Sequence, residues 1–501
     1  MDLLKPKVTI ALLILIMVLI AGYFLMPDKK DSTRKNNEYA NIDQSIAILP
    51  FDNMNDEPDQ EYFNDGLAEG IHNSLAQLKG LKVSARTSSF KFRGNNINIK
   101  EAGRRLGVRT ILEGRFQRRG ERIRITVQLI NVEDGYNFWS NQYDEKIDDI
   151  YALQDKIAFA IAEKLKLSFW EDMKQLVDKK PKPGKEAYDL YLKGRSYWNL
   201  RTLPDLKKGI DFFQRAIKLD PSFAAAYSGI ADCYTALGYL SLIAPKDAFP
   251  KALEAATKAL ELDSTLAEPH ASLGYYRFYY DWDWAAAEQE FRMAIALNPN
   301  YELAYDWYGY YLTAMKRYDE AIAIFKKAAE LDPLSVPIIT DIGFSFYYGG
   351  NYDEAIKKLK LSLEMNPGFG PAHLWLGRTF QQKQMFDSAI IEYKNTLKAI
   401  VDWPVALAAI GNVYGVSGNK IEAQKILGTL NALSTKKFVT SYGMALLYTG
   451  LDEKEKAFTW LNNAFEERSN WLVWLKSDPR LAPLRSDKRY TELVNKVGLP
   501  E

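Results

Sequence analysis

Cysteine and histidine are almost absent from this chain of 501 residues, which contains one cysteine and three histidines. The single thiol, Cys233, excludes an internal disulfide framework and a metal site made of several thiolates. His72, His270 and His373 are not spaced as HxxxH or HExxH, which disfavours zinc or triad chemistry based on histidine. The sequence also has no Walker loop. We therefore predict no enzyme activity, no catalytic residues, no metal site and no cofactor.

An excess of charge of one sign is also lacking, because 65 basic residues face 64 acidic ones and the formal net charge is +1. Such a chain has no global field that would draw it onto nucleic acid, so we predict no nucleic-acid partner. The arginine-rich stretch 113–124 allows a phosphate- or RNA-binding patch as the alternative. Glu113 and Glu121 within it favour a solvated strand face.

Long apolar runs are lacking apart from residues 8–26, "VTIALLILIMVLIAGYFLM", which include no charged residue. At about 1.5 Å per residue, a helix of this length roughly crosses a hydrocarbon core of about 30 Å. A cleaved signal peptide is the alternative, but the run exceeds the ~7 to 15 apolar residues typical of one, and no small-x-small cleavage motif follows. We predict a single-pass transmembrane helix, preceded by a short segment 1–7 and followed by a linker 27–44.

Residues 45–170 have the pattern of a small α/β domain. Strands are predicted at "SIAILPF", at "LKVSART", on both sides of a turn at Gly120, and at "GYNFWSNQYDEKI". Apolar residues recur at helical spacing in "EYFNDGLAEGIHNSLAQL" and "DIYALQDKIAFAIAEKL". "IKEAGRRLG" predicts a short helix that ends at Gly107.

Together with "VSARTSSFKFRG" and "AGRRLGVRTILEGRFQRRGERIRITVQLI", these stretches resemble, in order, the TolB amino-terminal-like domain that many bacterial proteins join to tetratricopeptide repeats. In such proteins the pair commonly follows a transmembrane helix, with a winged-helix or adenylate cyclase domain on the other side of the membrane. With seven residues before the helix in this sequence, we expect neither output domain on the amino-terminal side. The resemblance implies a bacterial inner-membrane protein with a periplasmic soluble part, whereas the excess of positive charge after the helix opposes export.

A repeated pattern begins after the linker 171–185. The endings "AIKLDP", "ALELDS", "AIALNP", "AAELDP" and "LEMNP" finish at residues 221, 264, 299, 333 and 367, at intervals of 43, 35, 34 and 34 residues. This period is typical of tetratricopeptide repeats. The eighth position of each repeat is small, as helix packing requires, and is filled by Gly194, Ala231, Gly274, Gly309, Gly343, Gly377, Gly411 and Ala445. We predict a solenoid of about eight repeats over 186–467 and a C-terminal cap over 468–501.

The concave side of such a solenoid is lined by its first helices, at repeat positions 2, 5, 9 and 12 or 13. Aromatic and arginine side chains there are typical anchors of binding surfaces. The predicted partner-binding groove consists of Tyr275, Tyr279, Asp306, Tyr310, Phe344, Tyr347, Arg378 and Gln381. Burial of some of these rings between neighbouring repeats is the alternative.

The predicted fold class is multidomain, with a transmembrane helix, a small α/β domain resembling the TolB amino-terminal domain, and an all-α repeat solenoid. The predicted function is a membrane-anchored, non-enzymatic scaffold or assembly factor that binds protein or peptide partners in its groove. The alternative is a sensory component of a signalling system, resembling cyclase-coupled or ToxR-type regulators, whose output domain lies on another chain. Homo-oligomerisation stays open.

Overall fold

The computed structural model describes residues 44–54, 61–94, 97–146, 150–167 and 183–500. From Ser45 onwards these residues form one compact unit. It contains a small α/β region followed by a long helical array.

The α/β region is built on one mixed sheet with the strand order β3-β1-β4-β5-β6, and β2 pairs with β4. Its strands are β1 (Ser45–Ile48), β2 (Asp52–Asn53), β3 (Lys82–Val83), β4 (Thr110–Arg119), β5 (Arg122–Asn131) and β6 (Asn137–Lys146). β1 is parallel to β3 and β4, whereas β4, β5 and β6 are antiparallel neighbours. The long hairpin of β4 and β5 turns at Gly120, which has φ 63°, as the sequence predicts.

Helices cover both faces of this sheet. They are α1 (Glu61–Ala76), α2 (Arg86–Ser89), α3 (Ile99–Leu106) and α4 (Ile150–Lys164). Because side chains alternate along a strand, Ile46 packs with the residues of α1 and α4, while Ala47 packs with those of α3. Two-sided burial is typical of a strand that lies inside a parallel sheet.

The helical array contains eight antiparallel helix pairs. They are α5 (Lys185–Trp198) with α6 (Leu203–Leu219), α7 (Ala224–Tyr239) with α8 (Pro245–Leu262), α9 (Ala267–Tyr276) with α10 (Trp284–Leu297), α11 (Glu302–Ala314) with α12 (Tyr318–Leu331), α13 (Val336–Tyr348) with α14 (Tyr352–Met365), α15 (Gly370–Gln382) with α16 (Phe386–Ala399), α17 (Pro404–Val416) with α18 (Lys420–Leu433), and α19 (Ser441–Gly450) with α20 (Lys454–Glu466). A π-helical turn, Arg277–Asp281, extends α9.

Small residues at the eighth repeat position let the two helices of a pair meet closely. A Cβ atom added to Gly309 would lie 2.7 Å from the ring of Phe325, and one added to Gly377 would lie 2.7 Å from the ring of Tyr393. Real Cβ atoms do not approach other atoms this closely, so these positions exclude a larger side chain. The spacing in the sequence therefore identified the contact between the two helices correctly.

The second repeat is longer than the others because of an insertion, "YLSLIAPKDAFP", at residues 239–250. This insertion mostly extends the two helices of the pair, since only residues 240–244 lie outside α7 and α8. The C-terminal segment, residues 468–500, contains two 3-10 helices, Asn470–Trp474 and Pro479–Leu484, and the last helix α21 (Lys488–Val497).

The predicted fold class and location need correction. Among the described residues, no helix is both long and apolar enough to cross a bilayer. The longest of these helices, α8, has 18 residues but exposes charged side chains along one face, because it is an amphipathic packing helix. Residues 8–26, where we predicted the transmembrane helix, lie outside the described residues. The fold class is corrected to a mostly helical repeat solenoid with a small N-terminal α/β region.

The predicted inner-membrane location, with a periplasmic soluble part and a membrane partner, depended on that helix. This location is therefore withdrawn together with the transmembrane helix, since no described helix supports a single-pass protein. The domain boundaries given by the sequence stay a prediction.

Candidate binding cavity

A cavity of about 860 Å³ lies where three parts of the chain meet. Helices α1 and α2 of the α/β region form one wall, and the inner helices of the repeats form a second wall. The 3-10 helix Asn470–Trp474 of the C-terminal segment forms the third wall. The concave side of the solenoid is therefore partly covered by the chain itself.

The α/β wall is held by hydrogen bonds to two turns between repeats. The side chain of Asn300 accepts from the Val83 N–H at 2.9 Å and donates to the carbonyl oxygens of Leu81 and Ala76 at 2.8 and 2.9 Å. The hydroxyl groups of Thr87 and Ser88 donate to Asp332. Because buried backbone groups must find partners, these contacts fix the sheet edge against the solenoid.

The C-terminal wall enters the groove through Trp474. Its ring stacks on Tyr348 at 4.6 Å between centroids and meets the edge of Phe344 at 5.0 Å. The neighbouring Trp471 N–H donates to Ser241 Oγ at 3.4 Å, across the groove. The segment thus joins the fifth repeat to the insertion of the second.

A cluster of carboxyl groups lines the cavity at the inner helices α11 and α13. Tyr310 donates a hydrogen bond of 2.5 Å to Oδ1 of Asp341. Asp306 is 6% exposed, and its Oδ1 has no hydrogen-bond partner. Glu302 lies one turn before Asp306 on α11 and lines the same cavity.

These acids are hard to ionise together. Burial raises the pKa of Asp306 well above its ordinary value, and the nearby Asp341 carboxyl raises it further. Burial raises the pKa of Asp341 to about 7, although the Tyr310 hydroxyl opposes this by donating to it. Burial and Asp332 raise the pKa of Glu302 to about 8. The site therefore holds protons near neutral pH and can release them.

Aromatic rings surround the carboxyl groups. Tyr275 lies 4.5 Å from Tyr279 and 4.8 Å from Trp307 between ring centroids, and Tyr310 lies 4.9 Å from Phe344. All five rings line the cavity. Such a wall combines a large apolar surface with negative ring faces.

Two of the three guanidinium groups that line the cavity are paired with carboxylates. Arg86 Nε lies 2.9 Å from Oε2 of Glu69, and Arg195 contacts Glu69 at 3.3 Å and Asp232 at 3.0 Å. Arg201 stacks on the ring of Trp198 with its Cζ atom 3.6 Å from the ring centroid. The charges of Arg195 and Arg201 lower the pKa of Glu302, but no ion pair joins the three arginines to Asp306 or Asp341 among the described residues.

The structure brings five of the eight predicted groove residues to the cavity, namely Tyr275, Tyr279, Asp306, Tyr310 and Phe344. The other three are buried nearby. Arg378 lies under the rings of Trp375 and Trp471, and Gln381 donates to Asn412 Oδ1 at 2.6 Å. Tyr347 packs 5.5 Å from Trp375. The role of all eight in partner binding stays a prediction.

Most of the cavity residues were missed by the predictions from sequence, among them Asp341, Trp307 and Trp474. Asp341 and Trp307 fall on inner helices but outside the repeat positions counted as groove positions, and Trp474 lies in the C-terminal segment. Asp341 follows Asp306 by about one repeat, so a search for acids recurring on the first helices would have found it. No periodic signal marks Trp474.

His72 lines the cavity, whereas the other two histidines and the cysteine do not. His270 and His373 pair with Glu290 and Glu392 through Nδ1, at 2.6 and 2.5 Å. Cys233 is buried, and burial raises the pKa of its thiol.

Two parts of the chain match known sequence families. Residues 42–159 match the second domain of the HilA/YgeH-like transcriptional regulators, and residues 303–333 match a tetratricopeptide repeat. The α/β region is therefore similar to a domain of HilA-like regulators, and the tetratricopeptide prediction is confirmed. The predicted resemblance to a TolB amino-terminal-like domain is not confirmed by these matches.

Curated relatives match longer stretches of the chain. A putative adenylate cyclase 3 of Rhizobium meliloti is 33% identical over 237 residues, which are 46% of this chain and 39% of the relative. The transcriptional regulator HilA of Salmonella typhimurium is 25% identical over 310 residues, which are 61% of this chain and 54% of HilA. The chain thus spans about half or less of the curated relatives it matches.

Solved structures match parts of this chain. PilF of Pseudomonas aeruginosa matches 41% of this chain and 93% of its own length, at 21% identity and a TM-score of 0.31. YrrB, described as a tetratricopeptide protein with an unusual peptide-binding site, matches 39% of this chain and 96% of its own length, at 22% identity and a TM-score of 0.27. TM-scores this low carry no argument about function. The repeats themselves are typical of protein-binding scaffolds.

Proposed function

We propose that this chain is a non-enzymatic receptor module that takes a peptide segment of a partner protein into its cavity. The observation that carries the proposal is the cavity itself, about 860 Å³ in volume and lined by the inner helices of the repeats. Ligand sites of this size combine apolar rings with a few placed polar groups. Tyr275, Phe344 and Asp306 supply such a combination.

The cavity suits a segment rather than a whole domain. The C-terminal segment and the α/β region cover much of the concave side, so an extended chain fits where a folded surface would not. In this proposal Tyr279 and Tyr310 provide contact area, while Tyr347, Arg378 and Gln381 support the wall from behind.

A regulatory role is the second candidate, and one observation favours it. The α/β region and the repeats share the walls of one cavity, through Arg86 on one side and Asp332 and Glu302 on the other. An occupant that contacts both parts changes the free energy of their docking. The similarity to a putative cyclase and to the regulator HilA supports a place in signalling, with the output supplied by another part or another chain.

A blocking substitution tests the receptor proposal. Ala225 lies on α7, lines the cavity and is half-buried, so Ala225→Trp should fill part of it. The matched control is Ala285→Trp, which adds the same ring at an exposed position of α10. Both purified variants are first compared with the native chain by circular dichroism and thermal unfolding.

Peptides are then selected from a displayed library on the native full-length chain, and their affinities are measured for all three proteins by fluorescence titration. We expect the selected peptides to bind the native chain and Ala285→Trp alike, and Ala225→Trp at least about tenfold more weakly. Equal affinity for the blocked variant would show that peptides bind elsewhere, and would overturn the proposal.

A further inference from the structure

We propose that the cavity recognises a positively charged side chain, lysine or arginine, of the bound peptide through the carboxyl pair of Asp306 and Asp341. This inference rests on the proposed function, because it names the chemistry of the segment that enters the cavity. It goes beyond that function by assigning a subsite and a charge to the occupant.

One oxygen of Asp306 receives no hydrogen bond from an N–H or a hydroxyl group of the described residues. This residue is 6% exposed and lines the cavity, and its Oδ1 is left without such a donor, although a buried carboxyl oxygen ordinarily accepts one. Its carboxyl group is hydrogen-bonded to that of Asp341, which requires a proton between the two. Asp341, on the next inner helix, is held in place by the Tyr310 hydroxyl. Two carboxyl groups from α11 and α13 therefore share a proton, and a cationic donor can take the place of that proton.

The cavity wall contains more acidic than basic side chains. Eight carboxyl groups line the cavity, namely Glu69, Asp220, Asp263, Glu268, Glu302, Asp306, Asp332 and Asp341. Only three guanidinium groups and no lysine line it. As described above, Arg86 and Arg195 are committed to Glu69 and Asp232. Asp332 accepts from two hydroxyl groups of the α/β region, and Arg201 stacks on Trp198. No guanidinium group of the described residues therefore forms an ion pair with Asp306 or Asp341, and a cation that pairs with them would belong to the occupant.

The surroundings of the carboxyl pair favour an ammonium or guanidinium group over a metal ion. Within the described part of the chain, no group of three or more histidine, cysteine, aspartate or glutamate residues is arranged to hold a metal ion. Aromatic rings do surround the pair, among them Tyr275, Trp307 and Phe344. Ring faces attract ammonium and guanidinium groups, and such groups also donate the hydrogen bond that Asp306 lacks. This favours a cationic side chain over a bare ion.

Binding of this cation should depend on pH. The groups that face the pair are Glu302 on the same helix, Asp332 after α12, and four tyrosine hydroxyls, those of Tyr310 on α11, Tyr239 on α7, Tyr275 on α9 and Tyr279 in the π-helical turn that extends α9. Arg195 and Arg201 from the first repeat act on Glu302. Protonated carboxyl groups cannot pair with a cation, so the peptide must displace a proton. Affinity should therefore rise between about pH 6 and pH 8, and binding should release protons.

The test uses the full-length chain and small probes of known chemistry. The probes are N-acetyl-Gly-Lys-Gly-amide, its norleucine analogue without the charge, n-butylammonium and calcium chloride. Binding is measured by saturation-transfer NMR and calorimetry at pH 7. The site variant is Asp306→Asn, which keeps the shape, and its control is Asp319→Asn at an exposed position of α12.

We expect the lysine peptide to bind the native chain and Asp319→Asn at least about tenfold more tightly than the norleucine peptide, and Asp306→Asn to lose this preference. Calorimetry in two buffers of different protonation enthalpy should show proton release with the native chain only.

Each contrary result overturns a defined part of the inference. Equal binding of both peptides to the native chain would refute the charge recognition, while the peptide-binding function would stand. Butylammonium binding as tightly as the lysine peptide would place a free amine, not a peptide, in the subsite. Competition by calcium would replace the organic cation with a metal. Binding of neither peptide would refute the subsite, and the library selection would decide the proposed function separately.

Discussion

Truncation of Trp474 should release the C-terminal segment from the groove at a large cost in stability. This side chain is 2% exposed, stacks on Tyr348 at 4.6 Å and contacts the edges of Phe344 and Phe278 at 5.0 and 6.3 Å. Replacing a buried tryptophan by alanine removes its transfer free energy and leaves a void, which together cost about 3–5 kcal/mol. The lost ring pairs account for about 0.5–1.5 kcal/mol each within that total.

The assay is urea unfolding of Trp474→Ala, followed by tryptophan fluorescence and circular dichroism. The control is Phe138→Ala on β6, because that ring is 51% exposed and its removal should change the free energy of unfolding by no more than about 0.5 kcal/mol. Hydrogen exchange should also rise in residues 470–497 of the Trp474 variant. If Trp474→Ala lowers the free energy of unfolding no more than the control does, and hydrogen exchange in residues 470–497 is unchanged, the placement of the segment in the groove would be refuted.

Three further predictions concern packing, docking and pH. Gly309→Ala should lower the free energy of unfolding by about 1–3 kcal/mol in a urea titration, because its Cβ would overlap a core ring, whereas Gly428→Ala, with nothing within 4 Å, should raise it slightly. Asn300→Ala should lower the free energy of unfolding by about 1–3 kcal/mol and speed hydrogen exchange at Val83, because the Val83 amide loses its acceptor. Unchanged exchange at Val83 would contradict the docking of the α/β region on the solenoid. The free energy of unfolding should fall as pH rises from about 4 to about 7, since the folded chain keeps protons on Asp306, Asp341 and Glu302 that the unfolded chain has lost. Asp341→Asn should reduce this slope, and an unchanged slope would contradict a proton held by the Asp306–Asp341 pair.

Local patterns in the sequence predicted the local structure well. The helical spacing of the apolar residues located α1 and α4, and the turn residue Gly120 located the hairpin of β4 and β5. The small residue at the eighth repeat position marked the contact that Gly309 makes with Phe325. These features depend on neighbours within about one repeat, so periodicity alone is enough to find them.

Long-range packing could not be predicted in the same way. The repeat register placed Tyr275 and Phe344 on the concave side, but nothing in their spacing showed that Trp474, 130 or more residues later, would pack against that side. Asp341 was missed because it falls at repeat position 6, which was not counted as a groove position. A hydropathy run at residues 8–26 led to a fold class that the described helices do not support.

The hydrogen bond between Trp471 and Ser241 makes distant repeats of the solenoid depend on one another. In an open solenoid each repeat contacts only its neighbours, so repeats can fray from the ends or be gained and lost with small effects. Here the last part of the chain is hydrogen-bonded to the second repeat, 230 residues earlier, and the α/β region bonds to the turns after the third and fourth. Adding or deleting one repeat would shift every later unit away from these contacts. These long-range contacts should therefore restrict the number of repeats that the chain tolerates between them.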